Sequence, residues 1–437
     1  MFQDINSLQR RFSELGVKFA FFKRLAENDN SKQQIYLGGS FDALQLLPFD
    51  EIQAFPHLKL PNYKAKISLF WIDERAVEQA TGAQLILYPK YPEVRLSGFL
   101  DRCKLAPSEY MQPIAAQNRR ANNTHDGRVL FFGVTDNNQV MAYLAPSGSS
   151  LSRECFAKIQ AGEIREDGIF ARLPDFKSKQ SARDVLLARL TEIKNLGWHP
   201  SVKLDKLSGM PIAYEKKNGG GYTLEALFGV MPNSSGEPDF LGWELKGHSS
   251  EKISLFTPEP DGGFYKQRGA EAFVRRFGKQ TKTDTLYFTG LHRADVLQPS
   301  TGLTLVLEGF DANSQKIVDL NGGVALLTDT GESAACWSFA HLMAKWNKKH
   351  AQAAYVRFHS RENPGREYSY VSPALLGEGT EFPLFISAIA EGKIVFDPGT
   401  KVVLQPNGNS STKPRSQFRI NVKQLGALYK TFSPVNF

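Results

Sequence analysis

The sequence has few cysteines, no long apolar run and no internal repeat. Only Cys103, Cys155 and Cys336 occur in its 437 residues, far apart and odd in number. This argues against a disulfide framework and against a zinc site with paired cysteine ligands. No apolar stretch has the length of a membrane-spanning helix, and the first residues lack the apolar core and cleavage site of a signal peptide. We therefore expect a cytoplasmic protein that has no membrane partner.

Length and charge set broad limits on the organisation of the chain. A length of 437 residues exceeds one ordinary core and predicts two domains, or three. The formal net charge is +8 and the pI is about 9.1. A basic balance suits a polyanionic partner such as nucleic acid, but a basic surface without such a partner has the same composition.

The first 175 residues are rich in strand signals. Helical spacing is confined to the start, at Ile5, Leu8, Phe12 and Leu15, and β-favouring runs alternate with turn-forming segments after it. The predicted strands are 34–37, 66–72, 83–88, 94–100, 129–134 and 140–144. The pattern predicts a mainly β N-terminal domain over 1–175, a barrel or sandwich with one or two helices.

The polar, proline-containing stretch 173–180 marks the predicted domain boundary. After it a helix is predicted to begin at Ser181, with Asp184 completing a capping box, and to end before Gly197. Further strands are predicted at 240–246, 252–256, 285–289, 303–307, 324–327 and 354–358, and further helices from 223, over 269–277 and over 333–349. This alternation predicts an α/β domain over 176–437.

The stretch 239–246 combines the residue types that phosphodiester hydrolysis requires. The carboxylates of Asp239 and Glu244 can hold Mg²⁺, and Lys246 can orient a water and stabilise the developing negative charge. In a strand Glu244 and Lys246 project to one face, while Leu245 faces the core and its carbonyl can join the metal. Asp239 follows Pro238 and can bend back towards Glu244.

Spacing alone does not establish that Asp239, Glu244 and Lys246 form a catalytic site. A fixed Asp-x₄-Glu-x-Lys match arises by chance in roughly one chain in twenty of this length. The triplet 192–194 also has this pattern but lies on a predicted helix, where residues two apart diverge. The triplet 215–217 runs into a glycine turn. Only the triplet 244–246 lies in an apolar strand, and its alternative role is an ordinary surface ion pair.

Glu225 is a further catalytic candidate. It lies just inside a short helix that Thr223 is predicted to cap, where a glutamate ordinarily stabilises the helix end. The preceding glycines 219–221 could let the backbone approach a phosphate closely, or simply form a turn.

These motifs resemble the MvaI/BcnI family of restriction endonucleases, which are PD-(D/E)XK nucleases. The run NGGGYTLEALFGVMPNSSGEPDFLGWELKG and the following ISLFTP carry the resemblance, which extends from about residue 181 to the C-terminus. It implies a central mixed sheet in which Asp239 and Glu244 bind metal, Lys246 is the catalytic lysine and Glu225 supports the metal site. It also implies cleavage of double-stranded DNA at short, specific sites with Mg²⁺, or Mn²⁺ in its place. The products would carry 5′-phosphate ends, as in restriction or phage defence. The sequence leaves the oligomeric state open, with a monomer as one expectation.

Basic residues of the C-terminal part are candidates for DNA contact. One group surrounds the helix predicted over 269–277, and could contact phosphates or form a solvated face. The other lies in the late loop, where arginine suits guanine and glutamine suits adenine, or where both grip phosphate. The two groups are Lys266, Arg268, Arg275 and Arg276, and Arg415, Gln417 and Arg419. Family members often carry histidines in this late loop, whereas this sequence has arginine and glutamine there. The resemblance therefore does not imply a target sequence.

In the N-terminal domain Lys90 and Arg95 alternate with aromatic residues, as in a DNA-contacting strand or an ordinary hairpin. Some restriction enzymes place a B3-like DNA-binding effector domain ahead of such a nuclease, and a strand-rich domain agrees with that by analogy. Three alternatives remain: a nuclease for modified DNA gated by the N-terminal domain, a DNA-binding protein without cleavage, and an interaction protein.

Overall fold

The structure is a computed structural model that describes residues 1–27, 34–38, 43–91, 93–119, 127–173, 182–232 and 238–437. The chain divides into two units, Met1–Lys179 and Gln180–Phe437. The predicted boundary stretch from residue 174 onwards and the predicted helix cap Ser181 lie outside the described residues. No helix in the described ranges is both long enough and apolar enough to cross a membrane.

The first unit is built mainly of strands. Its described helices are α1 (Ile5–Glu14), α2 (Ala43–Leu46) and α3 (Ser150–Gln160), with 3-10 turns at Ser108–Met111 and Ala116–Asn118. Its described strands are β1 (Val17–Arg24), β2 (Gln34–Tyr36), β3 (Gln53–Phe55), β4 (Asn62–Lys66), β5 (Leu69–Ile72), β6 (Val77–Gln79), β7 (Gln84–Tyr88), β8 (Glu93–Ser97), β9 (Val129–Thr135), β10 (Val140–Ala145), β11 (Glu166–Asp167) and β12 (Phe170–Arg172).

The described strands of this unit form two sheets. The order is β11-β12-β1-β9-β10-β5-β6 in the larger sheet, where only β10 and β5 are parallel, and β2-β8-β7-β4-β3 in the smaller one. The apolar faces of α1 and α3, including Phe12 and Leu151, pack into a core with the larger sheet. The expectation that helix is confined to the start is wrong, because Leu151 and Cys155 make a short buried seam of helical spacing on α3.

The second unit alternates strands and helices. Its described helices are α4 (Ala182–Asn195), α5 (Gly219–Leu227), α6 (Gly263–Phe277), α7 (Phe339–Lys349) and α8 (Phe382–Ala390), with a 3-10 helix at Val422–Leu428. Its described strands are β13 (His199–Pro200), β14 (Val202–Leu204), β15 (Pro211–Ala213), β16 (Trp243–His248), β17 (Lys252–Phe256), β18 (Lys279–Lys282), β19 (Thr285–Thr289), β20 (Leu297–Gln298), β21 (Leu303–Glu308), β22 (Phe310–Asp311), β23 (Lys316–Ile317), β24 (Gly323–Leu327), β25 (Ser333–Ser338), β26 (Gln352–Glu362), β27 (Arg366–Glu378), β28 (Ile394–Phe396), β29 (Gly399–Leu404), β30 (Ser410–Lys413), β31 (Phe418–Asn421) and β32 (Thr431–Val435).

A five-stranded mixed sheet forms the centre of this unit. Its order is β13-β27-β26-β16, and β32 also pairs with β27. β16 runs parallel to β26, whereas the other pairs are antiparallel. Helices α4 and α5 cover one face, where Leu190 and Leu224 pack with Trp243 and Leu245 of β16. The prediction of mixed sheet in the C-terminal part is thus confirmed, and β16 lies at the end of this sheet.

Several predicted elements of the second unit are wrong in part, among them the helix predicted over 269–277, which begins at Gly263. The helix predicted over 333–349 is the strand β25 followed by α7, because Ser333–Ser338 pairs with β24 and packs Trp337 into the interior. The strand predicted to begin at 240 begins at Trp243. Phe240 belongs to the turn before it.

The helix α5 begins four residues before its predicted start. Gly219 opens it, and Thr223 lies fully buried inside it instead of capping it. The hydroxyl of Thr223 bonds both the backbone N–H and the carbonyl of Val202, at 3.1 Å each. Glu225 therefore stands in the last turns of the helix, where a carboxylate gains nothing from the helix dipole.

Candidate active site

A tight turn reverses the chain just before β16. Phe240 and Trp243 exchange two backbone hydrogen bonds, of 2.9 and 2.8 Å, and the two residues between them, Leu241 and Gly242, have positive φ angles of 48° and 89°. These are the features of a two-residue hairpin turn. Asp239 stands directly before this turn, and its Oδ2 accepts a hydrogen bond of 2.9 Å from the N–H of Leu245. The turn thus holds Asp239 beside β16.

Glu244 and Lys246 lie on one face of β16. The Nζ of Lys246 is 2.6 Å from Oε1 of Glu244, and the two side chains are 19% and 1% exposed. Leu245 between them points to the opposite face and packs in the core beneath α4 and α5. The alternation of a strand therefore brings the two charged groups together and anchors them through an apolar neighbour.

The glycine-rich start of α5 lets this helix approach the sheet closely. A Cβ at Gly220 would overlap the ring of Phe358, and a Cβ at Gly247 of β16 would lie 3.3 Å from the carbonyl oxygen of Gly220. The hydroxyl of Tyr370 donates a 2.7 Å hydrogen bond to that same carbonyl. Gly219 and Gly220 thus serve helix–strand packing, and this packing brings Glu225 to the site.

Burial and neighbouring charge raise the pKa values of two carboxylates at the site. Burial and the nearby Asp239 raise the pKa of Glu225 to about 7. Burial and Glu244 raise the pKa of Asp239 to about 6. Burial opposes the charge of Lys246, but Glu244 and the other two carboxylates raise its pKa, so this lysine remains protonated. The negative charge of the three carboxylates therefore exceeds the positive charge of Lys246, and a bound cation would reduce the repulsion between them.

The donor set fits a hard divalent cation. Oε2 of Glu244 is buried and has no hydrogen-bond partner, so one carboxylate oxygen remains to be satisfied. Within the described part of the chain, no three His, Cys, Asp or Glu side chains form a group that could hold a metal ion. A cation here would therefore rely on Asp239, Glu244, the carbonyl of Leu245 and water, which are oxygen ligands of the kind Mg²⁺ prefers.

Helix α7 supplies a lysine that the sequence analysis misses. The Nζ of Lys349 lies 3.4 Å from Oε1 of Glu244, and its side chain is 29% exposed. The lysine-rich end of α7, just before a predicted strand, is a signal that could have drawn attention to it. Only the pairing of that strand with β16 brings Lys349 to Glu244.

The basic residues of α6 fall into two groups. Arg275 pairs with Glu271 at 2.7 Å, and Arg276 makes two contacts with Glu332 at 2.7 and 2.5 Å. Lys266 and Arg268 are exposed and have no ion-pair partner among the described residues. A kink at Gly269, with φ of 84°, separates the two groups along the helix. Contact of all four with DNA stays a prediction.

The three candidate residues of the late loop differ in exposure and in their hydrogen-bond partners. Arg415 is exposed, whereas Gln417 is 4% exposed and accepts a 2.9 Å hydrogen bond from the hydroxyl of Ser254. Arg419 pairs with Asp397 at 2.6 Å. In this conformation Gln417 and Arg419 join neighbouring strands, and Arg415 alone is presented to solvent. Their reading of bases stays a prediction.

In the first unit Lys90 and Arg95 belong to the β7–β8 hairpin. Lys90 is exposed and lies 5.4 Å from the ring centre of Tyr91. Arg95 lies 5.4 Å from the ring centre of Tyr88 and pairs with Glu93 at 2.8 Å. The predicted interleaving of cations and aromatic rings is present here, and DNA contact through it remains a hypothesis.

Comparison with known proteins identifies the family to which the second unit is related. The model of the MvaI/BcnI restriction endonuclease family matches residues 187–429. The complex of restriction endonuclease MvaI with its cognate DNA substrate is 20% identical, with a TM-score of 0.46, and the match covers 59% of this chain and 99% of that one. MvaI in the absence of DNA is 19% identical, with a TM-score of 0.34 and coverage of 60% and 100%. No curated protein matches. Because the family model spans more than half of the chain, the protein belongs to the MvaI/BcnI restriction endonuclease family.

Proposed function

We propose that the second unit is a sequence-specific endonuclease of PD-(D/E)XK type that cuts double-stranded DNA with Mg²⁺ and leaves 5′-phosphate ends. Membership of a restriction endonuclease family supports a DNA endonuclease, and such enzymes generally use divalent metal ions. The observation that carries the finer proposal is that Asp239, just before β16, meets Glu244 and Lys246 of β16, with one buried carboxylate oxygen left unpaired. We further propose a role in restriction or phage defence, in the cytoplasm.

Each residue of the site has a distinct part in this proposal. Asp239, Glu244 and the carbonyl of Leu245 would hold Mg²⁺, or Mn²⁺ in its place. A bound Mg²⁺ offsets charge on the scissile phosphate and lowers the pKa of a bound water. Lys246, held at 2.6 Å from Glu244, offers an ammonium group to the attacking water and to the negative charge that develops on phosphorus oxygens. Glu225, half-buried beside them, supports the metal site through its charge.

The proposal is tested by Glu244→Gln and Lys246→Met in a plasmid-cleavage assay with Mg²⁺ or EDTA. We expect each variant to lose at least about 10²-fold in cleavage rate, because each removes a charge that acts on the transition state. The triplet 192–194 offers a matched control: Glu192→Gln alters the exposed glutamate of an equally spaced Glu-x-Lys pair on α4. Wild-type cutting by Glu244→Gln or Lys246→Met would refute the assigned centre.

The first unit is proposed to be a barrel-like DNA-binding effector domain that acts through the β7–β8 hairpin with Lys90 and Arg95. The exposed Lys90 at the tip and the aromatic rings beside both cations support this. Gated cleavage of modified DNA is a second candidate function for the whole chain. Comparing methylated with unmodified plasmid distinguishes the two, since a gated enzyme cuts methylated plasmid alone. DNA binding without any cutting would favour the non-catalytic alternative.

A further inference from the structure

Two lysines share one oxygen of Glu244. Lys246 lies 2.6 Å from Oε1 and Lys349 lies 3.4 Å from the same atom, whereas Oε2 has no hydrogen-bond partner. One ammonium group is enough to pair a buried carboxylate, and two ammonium groups this close repel each other. The charge of Lys349 also acts on Asp239 and Glu225, so in the metal-free site this lysine offsets a cluster of three carboxylates and is not needed to complete the pair with Glu244.

The end of α7 is fixed in a way that holds Lys349 at the site. The next residue, His350, is fully buried, and its N–H donates to the carbonyl of Trp346 at 3.0 Å. Its ring stacks on Trp346 at 4.3 Å between centres, and its Nε2 lies 3.1 Å from the carbonyl oxygen of Leu255. These contacts anchor the backbone that carries Lys349. A helix C-terminus is also a favourable place for a cation.

The side chain of Lys349 remains accessible although its backbone is anchored. It is 29% exposed, compared with 19% for Lys246 and 1% for Glu244. It is also the more distant of the two lysines from Oε1. Lys349 is therefore the cation that can leave Glu244 for an incoming anion at little cost in burial.

Charge balance indicates what that anion is. With a divalent cation on Asp239 and Glu244, those two carboxylates offset the cation and Glu225 offsets one ammonium group, so one positive charge of Lys246 and Lys349 is left uncompensated. A phosphodiester with its charged non-bridging oxygens is the anion that the proposed reaction brings to this place. Ammonium groups bind such oxygens as point charges.

We propose that Lys349 is a second active-site lysine, which releases Glu244 and binds a non-bridging oxygen of the scissile phosphate. This rests on the proposed function, because it assigns a further residue to the same reaction. Lys246 and Lys349 then act on one phosphate from two different elements, a strand and a helix end. The negative charge that grows on this phosphate during hydrolysis strengthens the contact in the transition state.

The first test measures single-turnover cleavage at saturating DNA and Mg²⁺, and DNA affinity with Ca²⁺ in place of Mg²⁺. We expect Lys349→Met to lower the cleavage rate about 10- to 100-fold while DNA affinity falls less than about fivefold. Lys349→Arg, which keeps the charge, is expected to retain more activity than Lys349→Met. Lys345→Met is the matched control, since Lys345 is exposed on the same helix one turn earlier.

Two results would overturn the proposal. One is a wild-type cleavage rate for Lys349→Met at every Mg²⁺ concentration, and the other is a rate that is lowered only at subsaturating Mg²⁺, which would mean that Lys349 only screens Glu244. If the wild-type protein itself neither binds nor cuts DNA in the same assay, the proposed function fails as well. Cutting by the wild type with full activity in Lys349→Met removes this inference alone.

The second test needs no variant. Surface lysines of the wild-type protein are acetylated with and without site-containing DNA in Ca²⁺, and the modified residues are quantified by mass spectrometry. We expect DNA to reduce modification of Lys349 at least about threefold more than that of Lys345, because a bound phosphate blocks the amine. Equal modification of Lys349 with and without bound DNA would contradict the contact.

Discussion

Protonation of Asp239, just before β16, and of Glu225, on α5, opposes metal binding at the site. Burial and neighbouring negative charge raise the pKa of Asp239 to about 6 and that of Glu225 to about 7. A carboxylate must be deprotonated to ligate a cation. Between pH 5 and pH 8 the site thus changes from proton-bound to ready for metal, a range in which an ordinary exposed carboxylate is already ionised.

We therefore expect the Mg²⁺ concentration that gives half-maximal cleavage to fall at least about tenfold from pH 5.5 to pH 8. Cleavage at subsaturating Mg²⁺ should rise over the same range. Glu225→Gln should move the upper part of this profile to lower pH, because it removes the group that titrates near 7. A half-maximal Mg²⁺ concentration that is equal at pH 5.5 and pH 8 would contradict this prediction.

The raised pKa values of Asp239 and Glu225 also make the stability of the folded protein depend on pH. High pH favours metal binding, whereas low pH favours the folded state. The pKa values of these two carboxyls in the folded protein lie above the ordinary values of 3.8 and 4.5. Their contribution to stability is therefore full below about pH 4 and is lost as the pH rises through 6 and 7. Mg²⁺ offsets this loss only where the carboxyls are ionised, so the increase in Tm on adding Mg²⁺ should be larger at pH 8 than at pH 5.5.

At the scale of elements, patterns that lie within one element are predictable and contacts between elements are not. The stripe on α4 and the strand β19 are predicted from local spacing, and the structure has α4 at Ala182–Asn195 and β19 at Thr285–Thr289. The stretch Ser333–Ser338 contains two alanines, which favour helix, yet pairing with β24 makes it a strand. Local propensity fails there because tertiary hydrogen bonding overrides it.

Prediction of the site residues from the sequence is limited in the same way. Glu244 and Lys246 are predicted together, because the two-residue period of a strand is written in the sequence. Lys349 stands more than a hundred residues later, and only the parallel pairing of β26 with β16 brings it to Glu244. The packing role of Gly220 is hidden for the same reason, since Phe358 and Tyr370 come from the strands β26 and β27.

The first turn of α5 provides a matched pair of glycines for testing this packing. A Cβ at Gly220 would overlap the ring of Phe358, whereas nothing lies within 4 Å of a Cβ at Gly221. We expect Gly220→Ala to destabilise the protein by about 1–3 kcal/mol and to reduce cleavage, because α5 and Glu225 must shift from β16. Gly221→Ala should stabilise it by about 0.5–1 kcal/mol through helix propensity.

Urea unfolding of the two variants beside the wild type measures the difference. Cleavage rates at saturating Mg²⁺ then report whether the shift of α5 reaches the site. Equal stability of Gly220→Ala and Gly221→Ala would mean that the approach of α5 to the sheet is looser than the structure has it.

At the scale of the whole molecule, each unit has a hydrophobic core of its own. One core gathers residues between Phe2 and Leu173, and the core beneath α4 and α5 gathers residues between Leu186 and Phe437. The family match, 187–429, lies wholly within the second unit. The residues proposed for catalysis and for metal binding also lie there, so the second unit contains a complete candidate centre.

We therefore expect residues 180–437, produced alone, to fold and to cut DNA with Mg²⁺. The division at 179 leaves α4 intact at the start of this piece. A single cooperative thermal transition, followed by circular dichroism, checks folding.

Plasmid cleavage by this piece and by the full chain, on methylated and unmodified DNA, then assigns the role of the first unit. If the first unit gates cleavage, the full chain will prefer methylated plasmid and residues 180–437 will cut both alike. If it only adds DNA contacts, both proteins will show the same preference, and the full chain will bind more tightly with a steeper dependence on salt. A piece that folds but cuts nothing, beside a full chain that cuts, would show that the first unit completes the active site, against the expectation argued from the separate cores.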